Sequence, residues 1–320
     1  MRTPLRAALA AGLVLLLAGC SGSDEGAQDD QAGSGPEKPE LTVGVLPLAD
    51  YAAVYWAKDK GFFEDAGLDV TLEPIAGGPA GIQSSVSGDI DCSFANTIAT
   101  LVAQDSGVPV EMVALSSALG DESNVIVVDD DSPIRTMEDL DGATIGVNTT
   151  NNVGDVAFYN LLDDAGIDID VSFVEVPFGE MIDGIKAGSI DATHTPEPFR
   201  SAALAAGLRE VVDLTSGPNA DLPAAAFVCG TRFVEENPRT AKAFAEAIYA
   251  AGEDLAADED GMRAWLPDIA GVPEETAQSM KLPTYFSAPA PDEVQRLADL
   301  LAGQGLIGDD YAVDEHFYQP

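Results

Sequence analysis

From Leu41 onward, short apolar runs alternate with longer stretches in which apolar residues recur at helical spacing. Thr42-Val43-Gly44-Val45 is a strand-like run, and Ala143-Thr144-Ile145-Gly146-Val147 is a second one about one hundred residues later. Phe62-Phe63-Glu64-Asp65-Ala66-Gly67-Leu68 ends a helix and turns into Asp69-Val70-Thr71-Leu72-Glu73. Leu161 to Ile167 repeats that design before Val171 to Glu175, with Gly67 and Gly166 where a helix end favours a left-handed residue. Further on, Gly88-Asp89-Ile90-Asp91 is matched by Gly188-Ser189-Ile190-Asp191. Three separated segments at one near-constant offset indicate an internal duplication. Each copy reads strand, helix, strand, helix, strand, which predicts two similar α/β lobes with mostly parallel sheets covered by helices.

The pattern extends this plan. Val110 to Ser116 completes the first half as a fourth strand. Asn124 to Val128 is strand-like and crosses toward the second lobe, and Ala224 to Cys229 crosses back. The rest is helical: Pro238 to about Ala257, Gly261 to Leu266, Glu274 to Met280 and Pro291 to Ala302, with Pro238 and Pro291 in first turns. Two crossings place these helices on the first lobe. The predicted boundaries are 41–128 with 224–320 for lobe 1 and 129–223 for lobe 2, with a hinge near Asn124–Ser132 and Pro223–Gly230.

Composition narrows the function. The chain has 15 Lys and Arg against 55 Asp and Glu, a net charge of −40, and the acids are spread along its length. Such a field repels nucleic acid and anionic lipid, so nucleic acid is not an expected partner. The two histidines, His194 and His316, lie far apart, and the three cysteines, Cys20, Cys92 and Cys229, form no CxxC pair. Neither a metal site nor a cofactor is expected.

The first residues have their own pattern. Arg2 and Arg6 precede an apolar run from Ala7 to Ala18, too short for a permanent span and followed by Leu17-Ala18-Gly19-Cys20. This resembles a bacterial lipoprotein signal, residues 1–19, with Cys20 as the lipidated first mature residue. Residues 20–40 are rich in Gly, Ser, Asp, Gln and Pro and read as a flexible tether to the membrane.

In parallel α/β sheets, ligands sit where strands lead into helix starts. Those loops supply Asp50 and Tyr51, Gly77 and Gly78, Asn96 and Thr97, and Ser117 in the first half. The second half supplies Asn148, Thr149, Thr150, Asn151 and Asn152, then Phe178, His194 and Glu197. They are small and rich in amides and hydroxyls. Backbone N–H donors are expected at Gly77-Gly78-Pro79 and along Thr149 to Asn152. Asp50 and Glu197 form a candidate carboxylate pair across the cleft, and Tyr51 and Phe178 are candidate stacking faces. The first-lobe loops and Asn148–Asn152 lack Lys and Arg, which points to a neutral or cationic, amine-bearing ligand.

Lys60-Gly61-Phe62-Phe63, Gly77-Gly78, the two Gly-x-Ile-Asp runs and Pro196-Glu197-Pro198-Phe199 resemble motifs of substrate-binding proteins of the nitrate/sulfonate/taurine type, a group that includes binders of thiamine pyrimidine precursors. Pro196 stands where that family usually has Trp. The resemblance implies a type II periplasmic-binding-protein fold, two lobes closing on a small molecule, and delivery to an ABC permease and its ATPase. It also implies that the returning strand lies antiparallel beside the third strand, which brings Cys92 and Cys229 within disulfide reach. The chain is expected to act as a monomer and not as an enzyme. The alternatives are a ligand-sensing lipoprotein and an enzyme of the same fold acting on a pyrimidine-like substrate.

Overall fold

The computed structural model describes residues 35–315 and 317–318. The expected signal, Cys20 and the tether as far as residue 34 lie outside the described residues. The described chain forms two sheets. The first contains β1 (Glu40–Val45), β2 (Asp69–Pro74), β3 (Cys92–Asn96), β4 (Val110–Ala118), β10 (Pro223–Gly230) and β11 (Thr284–Tyr285); the second contains β5 (Asn124–Asp129), β6 (Thr144–Val147), β7 (Ser172–Glu175), β8 (Ala192–Pro196) and β9 (Leu208–Asp213). Their orders are β2-β1-β3-β10-β4-β11 and β7-β6-β8-β5-β9.

The duplication is visible in these orders. In each sheet the first strand lies parallel between the second and third, and one antiparallel strand separates the third from the fourth. That antiparallel strand comes from a crossing: β10 enters the first sheet from the second half, and β5 enters the second sheet from the first half. Asn124–Asp129 therefore pairs with β8 and β9, and sheet membership changes between Ala118 and Asn124, earlier than residue 128.

The Gly-x-Ile-Asp repeats explain themselves physically. Gly88 (φ 81°) and Gly188 (φ 68°) take the left-handed turn at a helix end. Ile90 and Ile190 are buried. The carboxylates of Asp91 and Asp191 then accept from the backbone N–H of Thr42 (2.9 Å), inside β1, and Thr144 (2.8 Å), at the start of β6, the central parallel strands of the two sheets. The motif fixes strand register and does not face the cleft.

The largest core belongs to the first sheet. Val43, Phe94, Leu115 and Phe227 from the strands meet Phe244, Ile248, Leu297 and Leu301 from helices Pro238–Ala257 and Pro291–Gly303. Trp56 Nε1 donates to Asp254 at 2.7 Å, fastening helix Ala52–Lys60 to the long C-terminal helix. The second sheet carries smaller apolar clusters, around Ile126, Leu140 and Phe158 and around Val125, Ile185 and Leu208. The second of the expected C-terminal helices runs over Glu259–Ala270, through Pro267 and beyond the expected Gly261–Leu266, with the Asp258 carboxylate accepting from Gly261 N–H.

Two expectations need correction. Residues 35–40 are not part of a loose tether. Glu37 accepts from the N–H groups of Arg239 (3.2 Å) and Thr240 (2.9 Å), capping helix Pro238–Ala257, and Lys38 pairs with Asp91. The second concerns the passage between the sheets: β5 and β10 are each bonded on both sides within one sheet, so the passage is not made by these strands. The crossings are residues 119–123 and 214–222. They run side by side, joined by Leu119 N–H to Leu222 carbonyl (2.9 Å) and Glu122 N–H to Thr215 Oγ1 (2.9 Å).

Cys92 and Cys229 are joined by a disulfide, with Cα atoms 4.3 Å apart. They are directly opposed in the β3–β10 register, where close Cα approach brings the sulfurs within bonding range.

Candidate functional site

Between the two sheets lies a cavity of about 70 Å³, enough for a handful of water molecules and hence for a compact ligand. The first sheet supplies Asp50, Tyr51, Gly77 and Gly78 from its loops and Asn96 from the end of β3; the second supplies Asn148, Thr149, Asn152 and Phe178 from its loops and His194 from within strand β8, not from a loop as expected. These ten residues are among those expected from the sequence, and the structure brings them together. The lobes approach closely here, since a Cβ placed on Gly77 would lie 3.6 Å from both Asn148 Oδ1 and Thr149 Oγ1.

Five expected residues stand elsewhere. Thr97 is fully buried behind Asn96, at the start of helix Thr97–Asp105. Ser117 lies behind Asp50, its hydroxyl 3.5 Å from the carboxylate. Thr150 turns outward and donates from N–H and Oγ1 to Glu175, both at 2.9 Å, and Asn151 borders an outer surface groove. Glu197 is 1% exposed and makes no clamp with Asp50. Its carboxylate accepts from Arg200 (3.2 Å), Ser201 Oγ (3.0 Å) and the Lys281 N–H (3.1 Å), because a buried charge is tolerable only when paired.

The lining also holds residues that loop reading did not assign to the ligand: Leu46, Leu48, Phe94, Asn124, Val153, Gly154, Pro196, Ala224 and Ala225. Asn124 opens an otherwise apolar buried strand, and a polar residue at that position was the available signal. Ala224 and Ala225 sit in an alanine run whose small side chains leave room where a larger one would fill the cavity. Gly154 packs against His194, and a Cβ there would approach Nδ1 to 2.8 Å. Pro196 is opposite Asn124 in the β5–β8 register and lines the wall where the family resemblance implies Trp.

Asp50 and Tyr51 are set by a short turn, Ala49–Tyr51, fastened from below. Ser116 Oγ donates to the Asp50 carbonyl at 2.7 Å, and Tyr285 Oη donates to the Ala49 carbonyl at 2.8 Å. Tyr51 packs against Phe94 at 4.9 Å between ring centroids, and Phe178 stacks on Phe199 at 5.1 Å and meets His194 edge-on. One wall of the cleft is thus aromatic on each side.

Three helix starts face this region, and they differ. Asn96 Oδ1 accepts from Ala99 N–H at 2.8 Å. At helix Val153–Ala165, Asn152 caps Val153, and the Asp155 carboxylate takes the N–H groups of Asn151 (2.6 Å), Asn152 (2.7 Å) and Val156 (3.0 Å). The donors expected along Thr149–Asn152 are therefore largely consumed within the chain. Helix Gly78–Ser87 has no side-chain cap: Gly77 precedes it in extended backbone, Gly77 and Gly78 line the cavity, and Pro79 brings no N–H.

Burial pushes the Asp50 carboxyl up to about 6, and the Glu197 charge adds to the rise, while its own amide and Ser117 oppose it. Burial pushes the His194 imidazole down to about 4. At neutral pH the cleft holds an ionised Asp50 and a neutral His194, whose Nε2 lies 2.9 Å from Asn124 Oδ1. Among the described residues, no Lys or Arg lines the cavity.

The two shifts give opposite pH dependences. A raised carboxyl stabilises the fold at low pH, and that contribution disappears as pH rises from about 4 through about 6. A depressed imidazole stabilises above its ordinary value of 6.5, and that contribution disappears as pH falls toward 4. Asp50→Asn removes the first and keeps the second. Its stability relative to the parent should therefore rise by about 2 kcal/mol between pH 4 and pH 7, at 1.36 kcal/mol per pKa unit. Urea unfolding at stepped pH reads this directly, and parallel profiles for the two proteins would show that Asp50 titrates normally.

Two sheets with swapped antiparallel strands and a cleft between them define the periplasmic-binding-protein fold. The chain belongs to the NMT1-like family, whose model matches residues 34–265. It is 22% identical over 223 residues to the putative binding protein YtlA of Bacillus subtilis, covering 67% of each chain. It is 24% identical over 280 residues to the nitrate/nitrite binding protein NrtA of a Nostoc species, covering 81% of this chain and 61% of that one. The chain thus spans about two thirds of the length of these curated relatives. Among solved structures, the alkanesulfonate-binding protein SsuA of Xanthomonas axonopodis pv. citri, bound to MOPS, superposes with a TM-score of 0.74 at 20% identity, covering 89% of this chain and 99% of that one.

Proposed function

We propose that this chain is an extracytoplasmic solute-binding lipoprotein that captures a compact organic molecule between its two lobes and hands it to an ABC permease driven by its ATPase. The observation that carries this reading is the cleft itself, walled by both sheets and joined behind by two adjacent crossings. Cys20 carries the lipid, the segment after it reaches from the membrane to the folded body, and export accounts for a disulfide at Cys92–Cys229. The lobes are residues 41–118 with 223–318 and residues 124–213, with the crossings between them as hinge. Closure by rotation at the crossings would let ligand bias an open–closed equilibrium.

Binding is favoured over catalysis by the chemistry of the lining. His194, the imidazole in the cleft, is bonded to Asn124 and not to a nucleophile. Glu197, which would have made an acid–base pair with Asp50, is committed to Arg200 and Ser201. The ionised Asp50 and the lack of lining cations favour a neutral or cationic, amine-bearing ligand. One observation favours an anionic one: the relatives' names specify nitrate, nitrite and alkanesulfonate, and the open helix start at Gly77–Gly78 offers N–H donors. The test is mass spectrometry of small molecules released by denaturing natively purified protein. A stoichiometric small organic compound supports the reading, and turnover of that compound by the protein would replace it with the enzyme alternative.

A further inference from the structure

We infer that three side-chain amides, Gln304, Asn160 and Asn219, form a latch between the two lobes, outside the cleft. This rests on the reading of the lobes as bodies that rotate at the crossings, and it names the side chains that resist the rotation. The three come from three different parts of the fold. Gln304 ends helix Pro291–Gly303 of the first lobe, Asn160 lies in helix Val153–Ala165 of the second, and Asn219 lies in the crossing 214–222. They bond head to tail. Gln304 Nε2 donates to Asn160 Oδ1 at 2.6 Å and to the Val156 carbonyl at 3.1 Å. Asn160 Nδ2 donates to Asn219 Oδ1 at 2.7 Å, and Asn219 Nδ2 donates to the Ala157 carbonyl at 2.8 Å.

The surroundings give these bonds their weight. Asn160 and Asn219 are buried, and Ile98, Leu119, Leu222 and Leu297 wall the space around them. The cavity beside them measures about 10 Å³, room for no more than one water molecule. An amide that loses its partner there is left unsatisfied. Other contacts at the crossings can break more cheaply. Lys281 pairs with Glu122 at 2.5 Å, but both side chains are exposed, where such pairs are worth little. Glu197 accepts from the Lys281 N–H, yet it keeps Arg200 and Ser201 if that bond breaks. The helix that the latch holds also reaches the ligand site, because Val153 and Gly154 in its first turn line the cleft. Swinging that turn out of the cleft carries Asn160 away from Gln304.

Pulsed dipolar electron paramagnetic resonance tests this on dialysed protein without added ligand. Spin labels go on Glu73→Cys in the first lobe and Glu180→Cys in the second, both exposed positions. The parent should show one dominant short distance. Gln304→Glu keeps the side-chain shape and replaces the donating amide with a carboxylate. It should raise the ratio of long to short distances by about ten-fold, as expected for two lost hydrogen bonds. Gln304→Met, which removes the donor without adding charge, should do the same, and thermal unfolding checks that each variant is folded. A destabilised but otherwise unaltered fold would leave the distances unmoved. A parent already at the long distance, or folded variants whose distances match the parent's, would overturn the latch. The solute-binding reading is judged separately, by whether native protein releases a stoichiometric small molecule.

Discussion

Phe244→Ala is expected to lower stability by about 3–5 kcal/mol, the range for deleting a fully buried aromatic side chain. Phe244 is 0% exposed, stacks on Phe63 at 5.6 Å between centroids and meets Phe227 edge-on at 5.7 Å. Phe63 belongs to the first repeat, Phe227 to the returning strand and Phe244 to the C-terminal helix. The three rings thus tie three distant segments into one lobe, and surrounding backbone from helix and sheet cannot collapse to fill the space. Urea unfolding should show a lower midpoint with an unchanged slope. A loss under 1 kcal/mol would mean that the C-terminal helix does not pack on the first sheet as described.

The second large effect concerns the disulfide. Cys92 and Cys229 are separated by 137 residues, and the closed loop contains the entire second sheet. Cross-linking so long a loop restricts the unfolded chain, so Cys92→Ala with Cys229→Ala should lower stability by about 2–4 kcal/mol. Reductant should destabilise the parent protein by a similar amount and leave the double variant unaffected. Thiol counting in denaturant without reductant gives an independent check: exported protein should show neither Cys92 nor Cys229 as a free thiol. Because both ends of the bridge lie in the first sheet, it pins the returning strand to its own lobe.

The duplication was legible because its signals are local. A left-handed glycine, a buried Ile and an Asp that accepts a strand N–H must recur at fixed places, and Gly88-x-Ile90-Asp91 and Gly188-x-Ile190-Asp191 do so. Loop residues after strands were legible for the same reason, and eight of them meet in one cavity with Asn96 at the end of β3 and His194 inside β8. What escaped depends on long-range partners. Glu197 reads as a cleft carboxylate until Arg200 and the Lys281 N–H are seen to claim it. The donors along Thr149–Asn152 look available until Asp155 folds back onto them. Glu37 looks like tether until helix Pro238–Ala257, about two hundred residues later, presents its N-terminus. Phe94 and Asn124 sit inside strands, where alternation alone does not say which face meets a cavity. The segments that pass between the sheets were misplaced because an apolar strand that has already joined the other sheet looks the same in sequence as the crossing that delivers it.

The central claim is that a small molecule is held between the two sheets. Mass spectrometry of natively purified protein, before and after denaturation, tests it when paired with Thr149→Trp. Thr149 is half-buried at the cavity edge, beside Gly77 of the opposite lobe, so an indole there would fill the cleft without entering either core. The account predicts one small organic molecule per parent chain and none in Thr149→Trp, with both proteins folded by thermal unfolding. A compound retained at equal stoichiometry by the folded variant would place the binding site elsewhere and contradict it.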